Sequence, residues 1–269
     1  MFNEKTIISK WVADIYDQNE TGTDDVEFLL SVIGPQPKKI LEIACGSGRI
    51  LVPLAKAGHK VTGLDADAYM LAKIAAKAEG KGNCGCLENI EWRAADAVHD
   101  AWGEGYDAVV LAGNILYNIV SDMDYEKAQA LFIRKAAAAL APGGVVYIDY
   151  QPGSHSLARP RKAPSKSRGE RVIWEGSDSG GNFGKMSLLD GSYDKGARLS
   201  TFTRRFELTL QSGETIRQEI PCVKHFATLE QIHDWLKGAG FSIEQEYGDY
   251  QRHPISRKTH RAIILARKA

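Results

Sequence analysis

The chain of 269 residues is long enough for one large α/β domain or for a domain that carries an insertion. Its 34 Lys and Arg residues balance its 34 Asp and Glu residues, so the overall charge points to neither a nucleic acid nor a membrane surface. No apolar run is as long as a transmembrane span, the first residues do not resemble a signal peptide, and four cysteines fit a reducing compartment. We therefore predict a cytoplasmic protein, and we expect no metal site because Cys84-Gly85-Cys86 has no second Cys or His pair nearby.

The first clear elements in the chain are a helix and a buried strand. Residues 24–33 begin with a capping-box pattern and have one apolar face, which predicts a helix. Residues 40–45 form an apolar run without polar alternation, which is typical of a parallel strand buried on both faces. The glycine turn Cys45-Gly46-Ser47-Gly48 follows, and a helix is expected over 47–57.

Strands and helices continue to alternate after this turn. Apolar runs at 60–65, 90–93, 108–112 and 145–150 predict the second to the fifth strand, with helices between them. This alternation indicates a doubly wound sheet with right-handed crossovers.

The pattern changes after the fifth strand. The basic stretch 159–171 predicts a loop, either a solvated surface loop or a loop that covers a substrate or contacts a phosphate. From 183 to 226 the apolar residues repeat with a period of two, which predicts an antiparallel insert of about three strands. A helix beginning after Thr228 and strands at 241–247 and 261–267 complete the chain.

Four short motifs occur in order at the ends of the predicted strands. They are Glu42-Ile43-Ala44-Cys45-Gly46-Ser47-Gly48, Gly63-Leu64-Asp65, Ala95-Asp96-Ala97, and Tyr106-Asp107-Ala108-Val109-Val110 leading into Leu140-Ala141-Pro142-Gly143-Gly144. In this series the chain resembles the S-adenosylmethionine-dependent methyltransferases of the Rossmann-like class, whose first motif is E/D-x-x-x-G-x-G. The resemblance covers roughly residues 10–150 and the last two strands.

The resemblance implies an α/β fold with a doubly wound, mostly parallel sheet of seven strands in the order 3-2-1-4-5-7-6. The antiparallel β insert would lie between strands five and six. Residues 1–151 and 227–269 would form the domain that binds S-adenosylmethionine, and 152–226 would form a subdomain on the substrate side.

The same resemblance implies which residues bind S-adenosylmethionine as the cofactor. Asp65 would accept hydrogen bonds from the ribose hydroxyls, and Glu42 and the Ala112 carbonyl would face the ammonium group. Asp96 and the Ala97 N–H would face the adenine ring. The full set of expected cofactor-binding residues is Tyr16, Glu42, Ala44, Gly46, Gly48, Arg49, Asp65, Ala66, Met70, Asp96, Ala97, Ala112, Gly113, Asn114 and Tyr117.

The expected catalytic residues are Tyr117, His155 and His225. The segment 114–118 resembles in part the wall of the glycine-type N-methyltransferases, and the insert resembles that of amino-sugar N-methyltransferases. His225 has an alternative role as a buried structural histidine. Likewise, Tyr16 either covers the cofactor or is an ordinary surface aromatic.

These observations predict a methyltransferase that acts on a small molecule at an amine nitrogen. The alternatives are a small-molecule O-methyltransferase, an RNA or protein methyltransferase, and a non-catalytic cofactor-binding protein. A nucleic-acid substrate is not favoured, because aromatic residues do not interleave the basic stretch as stacking on bases requires. Exposed edge strands of the insert would allow two copies to pair as a homodimer.

Overall fold

The computed structural model describes residues 4–80, 85–152, 169–256 and 259–269. The chain divides into two compact units. The parallel-sheet unit comprises Gly22–Gly153 and Ala227–Ala269, and the antiparallel-sheet unit comprises Met1–Thr21 and Ser154–Phe226. The first 21 residues thus group with the insert, whereas the sequence had suggested that they belong with the cofactor-binding part.

The elements of the described residues are numbered here in chain order. The helices are α1 (Glu4–Asn19), α2 (Asp24–Ile33), α3 (Leu51–Lys56), α4 (Ala68–Leu71), α5 (Ile74–Glu79), α6 (Ile115–Asn118), α7 (Tyr125–Ala139) and α8 (Leu229–Gly238), with a short 3-10 helix at Leu87–Asn89. The strands are β1 (Lys39–Ile43), β2 (Lys60–Asp65), β3 (Ile90–Ala94), β4 (Tyr106–Leu111), β5 (Leu140–Tyr150), β6 (Arg171–Ser177), β7 (Phe183–Asp194), β8 (Leu199–Thr209), β9 (Thr215–His225), β10 (Phe241–Tyr247) and β11 (Ala262–Lys268).

The parallel-sheet unit is built on seven strands in the order β10-β11-β5-β4-β1-β2-β3. Strands β1 to β5 run parallel to one another, and β11 pairs antiparallel with both β5 and β10. The strand order 3-2-1-4-5-7-6 expected from the sequence is therefore confirmed, with β10 and β11 as its sixth and seventh strands. Because β1 pairs with both β2 and β4, the carboxyl ends of these three strands lie side by side.

Each face of this sheet is covered by its own hydrophobic cluster. Leu41 and Ile43 of β1 belong to the cluster that includes residues of α7 and α8, such as Phe132 and Ile232. Ile40 belongs to the cluster on the opposite face, which includes residues of α2, α3 and α5. Side chains alternate between the two faces of a strand, so Glu42 points to the same face as Ile40. Burial on both faces explains why β1 has so few polar residues.

Strand β5 begins earlier than the sequence indicated. It starts at Leu140 instead of Val145, because Leu140 already pairs with Tyr106 of β4. A register shift between Tyr106 and Ala108 then lets the chain pass through Pro142-Gly143-Gly144 without leaving the sheet.

The antiparallel-sheet unit contains four strands in the order β6-β7-β8-β9. The sequence predicted about three, and the additional strand is β6, which begins at Arg171 where the basic stretch ends. The alternation read from the sequence is correct for β8, since Phe202, Phe206 and Leu208 are all buried on one face.

Helix α1 packs on this four-stranded sheet, which explains the grouping of the first residues with the insert. Ile8, Trp11 and Ile15 form one cluster with residues of β7, β8 and β9. The Trp11 ring lies edge-on to Phe206 at 6.5 Å, and its Nε1 donates a hydrogen bond to the Gly176 carbonyl at 3.1 Å. A Cβ atom at Gly184 would lie 2.7 Å from the indole, so this close approach requires a glycine.

Candidate active site at the carboxyl edge of the parallel sheet

The turn that follows β1 has an unusual backbone. Ala44, Gly46 and Gly48 all have positive φ angles, of 59°, 54° and 81°. For alanine this left-handed conformation is strained, and such strain is concentrated at functional sites. A Cβ atom at Gly46 would lie 3.2 Å from Cε of Met70, so Met70 packs directly on the exposed backbone of the turn.

Asp65 at the end of β2 holds this turn in place. Its Oδ2 accepts a hydrogen bond from the Gly46 N–H at 2.8 Å, and its Oδ1 accepts one from the Asp67 N–H at 2.8 Å. Burial raises the pKa of Asp65, and the two backbone donors oppose that rise. Each carboxylate oxygen can accept more than one hydrogen bond, so Asp65 retains acceptor capacity for a diol.

Glu42 is buried beneath the same turn. Its side chain is 4% exposed, and its Oε2 has no hydrogen-bond partner among the described residues. Burial raises the pKa of Glu42 to about 8; the charge of Arg49 opposes this rise, and those of Asp65 and Asp25 add to it. An unsatisfied buried carboxyl oxygen is costly, and a cationic N–H donor would satisfy it.

Arg49 joins the turn to the start of α2. Its guanidinium donates to both carboxylate oxygens of Asp25, at 2.8 and 2.6 Å, and to the Gly22 carbonyl at 3.2 Å. This fork geometry matches a carboxylate well. Arg49 thus links the turn after β1 to the start of α2 within the parallel-sheet unit. Its expected contact with a cofactor stays a prediction.

The loop after β2 positions Met70. Asp67 caps α4 by accepting hydrogen bonds from the N–H groups of Tyr69 at 2.9 Å and Met70 at 3.3 Å. The backbone N–H of Ala66 also interacts with the Asp65 carboxylate and lowers its pKa. The expected residues Asp65, Ala66 and Met70 therefore lie together beside Gly46.

Asp96 and Ala97 follow β3, as expected. The exposed Asp96 carboxylate accepts from the Val98 N–H at 2.8 Å and pairs with Nδ1 of His99 at 2.8 Å, and this pairing lowers the pKa of Asp96. The Ala97 carbonyl accepts hydrogen bonds from Trp102 Nε1 at 2.8 Å and Lys135 Nζ at 2.7 Å. His99 was not identified from the sequence, although its spacing from Asp96 is a signal for such a pair.

The loop after β4 is tied to the end of β5. Gly113 and Asn114 both have a φ of 61°, and Oδ1 of Asn114 accepts a hydrogen bond from the Gln151 N–H at 3.0 Å. The Ala112 carbonyl accepts one from the Ile115 N–H at 3.2 Å. Asn114 is therefore a structural link between two strand ends.

Tyr117 of α6 lies near Tyr150, with ring centroids 6.2 Å apart. Burial raises its pKa to about 12, with Arg261 opposing and Asp149 adding to the rise. The phenol is therefore protonated at neutral pH, so it can orient a substrate by hydrogen bonding but is a poor base.

A polar cluster at the end of β5 was missed by the sequence analysis. Asp149 is 2% exposed, accepts a hydrogen bond from the Tyr250 hydroxyl at 2.6 Å and pairs with Arg261. A cavity of about 480 Å³ lies beside it, lined in part by Gln151, His253 and Arg261. In the sequence, Asp149 lies in the segment 148–151, which resembles in part the end of strand five in the glycine-type N-methyltransferases, but no spacing connects it to Tyr250 and Arg261.

Two of the remaining expected residues belong to the other unit, and one lies outside the described residues. Tyr16 and His225 belong to the antiparallel-sheet unit. The Tyr16 ring packs edge-on against Trp174 at 5.7 Å, and His225 is buried at the end of β9. His155 and most of the basic stretch, up to residue 168, lie outside the described residues. Within the part of the chain that the structure describes, no helix is both long and apolar enough to cross a bilayer.

Comparison with known proteins finds similarity over part of the chain. Residues 40–144 match the model of a methyltransferase domain. The glycine N-methyltransferase of Rattus norvegicus is 28% identical over 135 residues, which are 48% of this chain and 45% of that protein. The ubiquinone biosynthesis O-methyltransferase of Sinorhizobium fredii (strain NBRC 101917 / NGR234) is 32% identical over 119 residues, 42% of each chain. The chain thus spans less than half the length of these two relatives.

Solved structures are similar over nearly the whole chain. The CcbJ methyltransferase from Streptomyces caelestis has a TM-score of 0.69 and 18% identity, covering 100% of both chains. An S-adenosylmethionine-dependent methyltransferase from Clostridium acetobutylicum ATCC 824 has a TM-score of 0.67 and 16% identity, covering 99% and 100%. The sugar N-methyltransferase KedS8 from Streptoalloteichus sp ATCC 53650 has a TM-score of 0.65 and 16% identity, covering 94% of this chain and 90% of that one.

Identities this low establish a shared fold. The resemblance seen in the sequence is therefore supported in two ways: residues 40–144 match the model of a methyltransferase domain, and the chain has the fold of solved S-adenosylmethionine-dependent methyltransferases.

Proposed function

We propose that the protein transfers the methyl group of S-adenosylmethionine to a small molecule, at an amine nitrogen. One observation carries this proposal. The Asp65 carboxylate accepts a hydrogen bond from the Gly46 N–H in the turn after β1. Beneath the same turn, Oε2 of Glu42 is buried and has no hydrogen-bond partner among the described residues. Two carboxyl groups at a strained glycine turn suit a ligand that combines a diol with a cationic amine.

The residues present fit this cofactor. Asp65 would hold the ribose diol, while Glu42 and the Ala112 carbonyl would face the ammonium group. Gly46 lets the backbone approach the methionine part, because any side chain there would meet Met70. Asp96 is exposed after β3, where it would face the adenine amino group.

When bound, S-adenosylmethionine supplies an electrophilic methyl group on a sulfonium centre. The leaving group of such a transfer is neutral, so this chain has no developing anion to stabilise there. Its side chains would instead align the acceptor and exclude water. Tyr117, whose phenol stays protonated because its pKa is about 12, would orient the acceptor by hydrogen bonding.

An amine acceptor must lose its proton before attack, and His155 and His225 are the proposed proton acceptors. Replacing each by Phe and following methyl transfer against pH tests these roles. We expect one replacement to slow transfer most strongly between the ordinary pKa of an imidazole and that of the amine, because there a neutral imidazole can take the proton from an acceptor that is still protonated. Unchanged rates in both variants would remove the histidines from the mechanism.

Transfer to nitrogen is favoured by the likeness to a glycine N-methyltransferase and to a sugar N-methyltransferase. Transfer to oxygen is the second candidate, because a ubiquinone biosynthesis O-methyltransferase matches over a similar length. A cytoplasmic location and a homodimer remain predictions, as does the absence of a nucleic-acid partner.

Calorimetric titration with S-adenosylmethionine tests the cofactor assignment. We expect the wild-type chain to bind it and Asp65→Ala to bind at least about 100-fold more weakly. Asp107→Ala is the matched control. Asp107 also accepts a hydrogen bond from a backbone N–H, that of Lys39 at 2.8 Å, but it lies near the start of β4, at the opposite end from the carboxyl edge. Absence of binding at millimolar concentration, or equal losses in both variants, would contradict the proposal.

A radiolabelled methyl-transfer screen then separates the candidate acceptors. Small amines and small phenols are offered in parallel, with an RNA pool as a third arm. We expect label in the amines. Label in phenols alone would favour the oxygen-directed alternative, and label in none, despite cofactor binding, would favour a non-catalytic protein.

A further inference from the structure

Two basic side chains lie on one face of the antiparallel sheet. In the pairing of β8 with β9, Ser200 is opposite Lys224, Phe202 opposite Cys222, and Arg204 opposite Ile220. Paired residues in a sheet share a face, and residues two apart along a strand do too. Arg204 and Lys224 therefore project from the same face, on either side of the buried Phe202.

The two side chains can converge over Phe202. Lys224 lies opposite Ser200, so its Cα is about as far from Arg204 along the strand direction as that of Ser200 is. Ser200 and Arg204 are about 14 Å apart, at about 3.4 Å per residue. Lysine and arginine side chains are long enough to lean toward each other across that span. Arg204 acts electrostatically on Lys224, which shows that the two charges are close enough to interact.

Arg204 is incompletely satisfied at this position. Its Nε is buried and has no hydrogen-bond partner among the described residues. A buried guanidinium N–H without an acceptor is costly, and charged groups in proteins are normally paired when they are buried. The missing acceptor is one that a bound anion would supply.

Lys224 is largely removed from water and lies within the electrostatic range of Arg204. Burial, and then the charge of Arg204, lower its pKa to about 8, with Cys222 opposing the shift. An anion placed between the two side chains would oppose this shift, because an opposite charge favours the protonated amine.

The opposite face of the same sheet provides the contrast. Arg205, the next residue along β8, pairs with Glu219 at 2.7 Å. Lys185 pairs with Glu207 at 2.8 Å, and Arg217 also pairs with Glu207. Cations on that face thus have carboxylate partners in the neighbouring strands, whereas the strand positions opposite and beside Arg204 carry Ile220, Phe202 and Phe206.

We infer that Arg204 and Lys224 form a binding site for an anionic group, a carboxylate or a phosphate, above the apolar floor made by Phe202. The guanidinium supplies a planar fork for two oxygens, and the ammonium supplies a second charge. The apolar floor limits hydration and so strengthens the attraction. The anion has two possible sources, an acidic group of the methyl acceptor or a separate small anion.

Anion titration of the full chain tests the site directly. Inorganic phosphate, pyrophosphate and succinate are titrated calorimetrically at constant ionic strength and pH 7. We expect saturable binding of at least one of them with one anion per chain, and at least about 10-fold weaker binding in Arg204→Met and in Lys224→Met. Arg205→Met is the matched control and should bind as the wild type does.

A second variant guards against a folding artefact. Arg204→Lys retains the charge but loses the fork, so we expect intermediate binding, with circular dichroism spectra unchanged in all variants. Failure of all three anions to saturate, or an equal loss in Arg205→Met and Arg204→Met, would overturn the inference. Titration with S-adenosylmethionine is run separately, so failure of the proposed function is distinguished from failure of this site.

The methyl-transfer screen identifies the source of the anion, and this arm rests on the proposed function. If the acceptor supplies it, amines with an acidic group will be preferred, and Arg204→Met will raise their KM at least about 10-fold with little change in kcat. If a separate anion binds, KM will be unchanged by the substitution while direct anion binding is still lost.

Discussion

The two sheets of this protein carry polar groups in different ways. In the parallel sheet, the candidate cofactor site lies at the ends of strands, where Asp65 bonds to the backbone of Gly46. In the antiparallel sheet, the candidate anion site lies on a face, from which Arg204 and Lys224 project on two paired strands.

The difference follows from how the strands are buried. A parallel strand covered on both faces leaves little room for polar side chains along its length, so its polar chemistry moves to the carboxyl edge. Strand β8 carries charged residues on one face, and on the other face it carries apolar residues together with Arg204. The edge site depends on backbone turns, and the face site depends on register and on α1 covering part of that face.

The largest expected effect tests whether α1 stabilises the antiparallel sheet. Trp11→Ala removes a fully buried ring and its hydrogen bond to the Gly176 carbonyl. We expect the free energy of unfolding to fall by about 3–5 kcal/mol, as for other buried aromatic truncations. Urea unfolding followed by far-UV circular dichroism measures it.

Phe183→Ala is the control for Trp11→Ala, since Phe183 is an exposed aromatic residue of β7. It should cost less than half as much. A similar loss in both variants would mean that α1 has no special role in the sheet. If Trp11→Ala does not fold, Trp11→Phe provides a smaller change at the same site.

A smaller effect is expected at the edge site. Arg49→Met leaves Asp25 without its two charged donors, so we expect a loss of about 2 kcal/mol in the free energy of unfolding. Arg252→Met is matched, because Arg252 also reaches α2, through the Ser31 hydroxyl at 3.0 Å, but from an exposed position. Its cost should be within about 0.5 kcal/mol of zero. If urea titrations give equal losses in the free energy of unfolding for the two variants, the ion pair of Arg49 with Asp25 does not stabilise the fold more than an exposed contact does.

The smallest effect is a pH dependence at Glu42. Its pKa in the folded chain is about 8, well above that of an exposed glutamate, so folding favours the protonated form. The stabilising contribution is complete below pH about 4.5 and is lost as the pH rises through 8. Glu42→Gln removes this dependence.

Scanning calorimetry without cofactor at pH 5 and pH 9 measures the effect of Glu42→Gln. The wild-type Tm should fall more between these pH values than that of the variant, by about 2–4 °C for each kcal/mol. Glu91→Gln, at an exposed position of β3, is the control and should behave as the wild type does. Parallel pH profiles for all three proteins would contradict a buried, protonated Glu42.

Much of the edge site could be read from the sequence, because its motifs are local. The resemblance, which is carried by short local motifs, singled out Glu42, Gly46 and Asp65 as candidate site residues, and it also implied the strand order. The reason for Gly63 was not visible, since a Cβ atom there would lie 2.6 Å from Sγ of Cys45 across the pair of strands. The pairing of Asp149 with Tyr250 and Arg261 was equally hidden, because it joins distant segments.

The antiparallel unit was predicted less well. Its period of two was evident, but β6 was missed, because its apolar residues directly follow the basic stretch. No helix was predicted over the residues of α1, and they were placed with the cofactor-binding part of the chain, since the sequence does not encode which surface an amphipathic helix will cover. Arg204 and Arg205 are adjacent and chemically identical, and nothing local distinguishes the one that pairs with Glu219.

The sequence by itself determined the alternation of strands and helices and the positions of the glycine and acidic residues at the strand ends, since backbone conformation and burial period are local properties. Only the tertiary structure decided which unit α1 belongs to and which cations found carboxylate partners. Those outcomes depend on register and packing between segments far apart in the chain, and residue spacing carries no information about them.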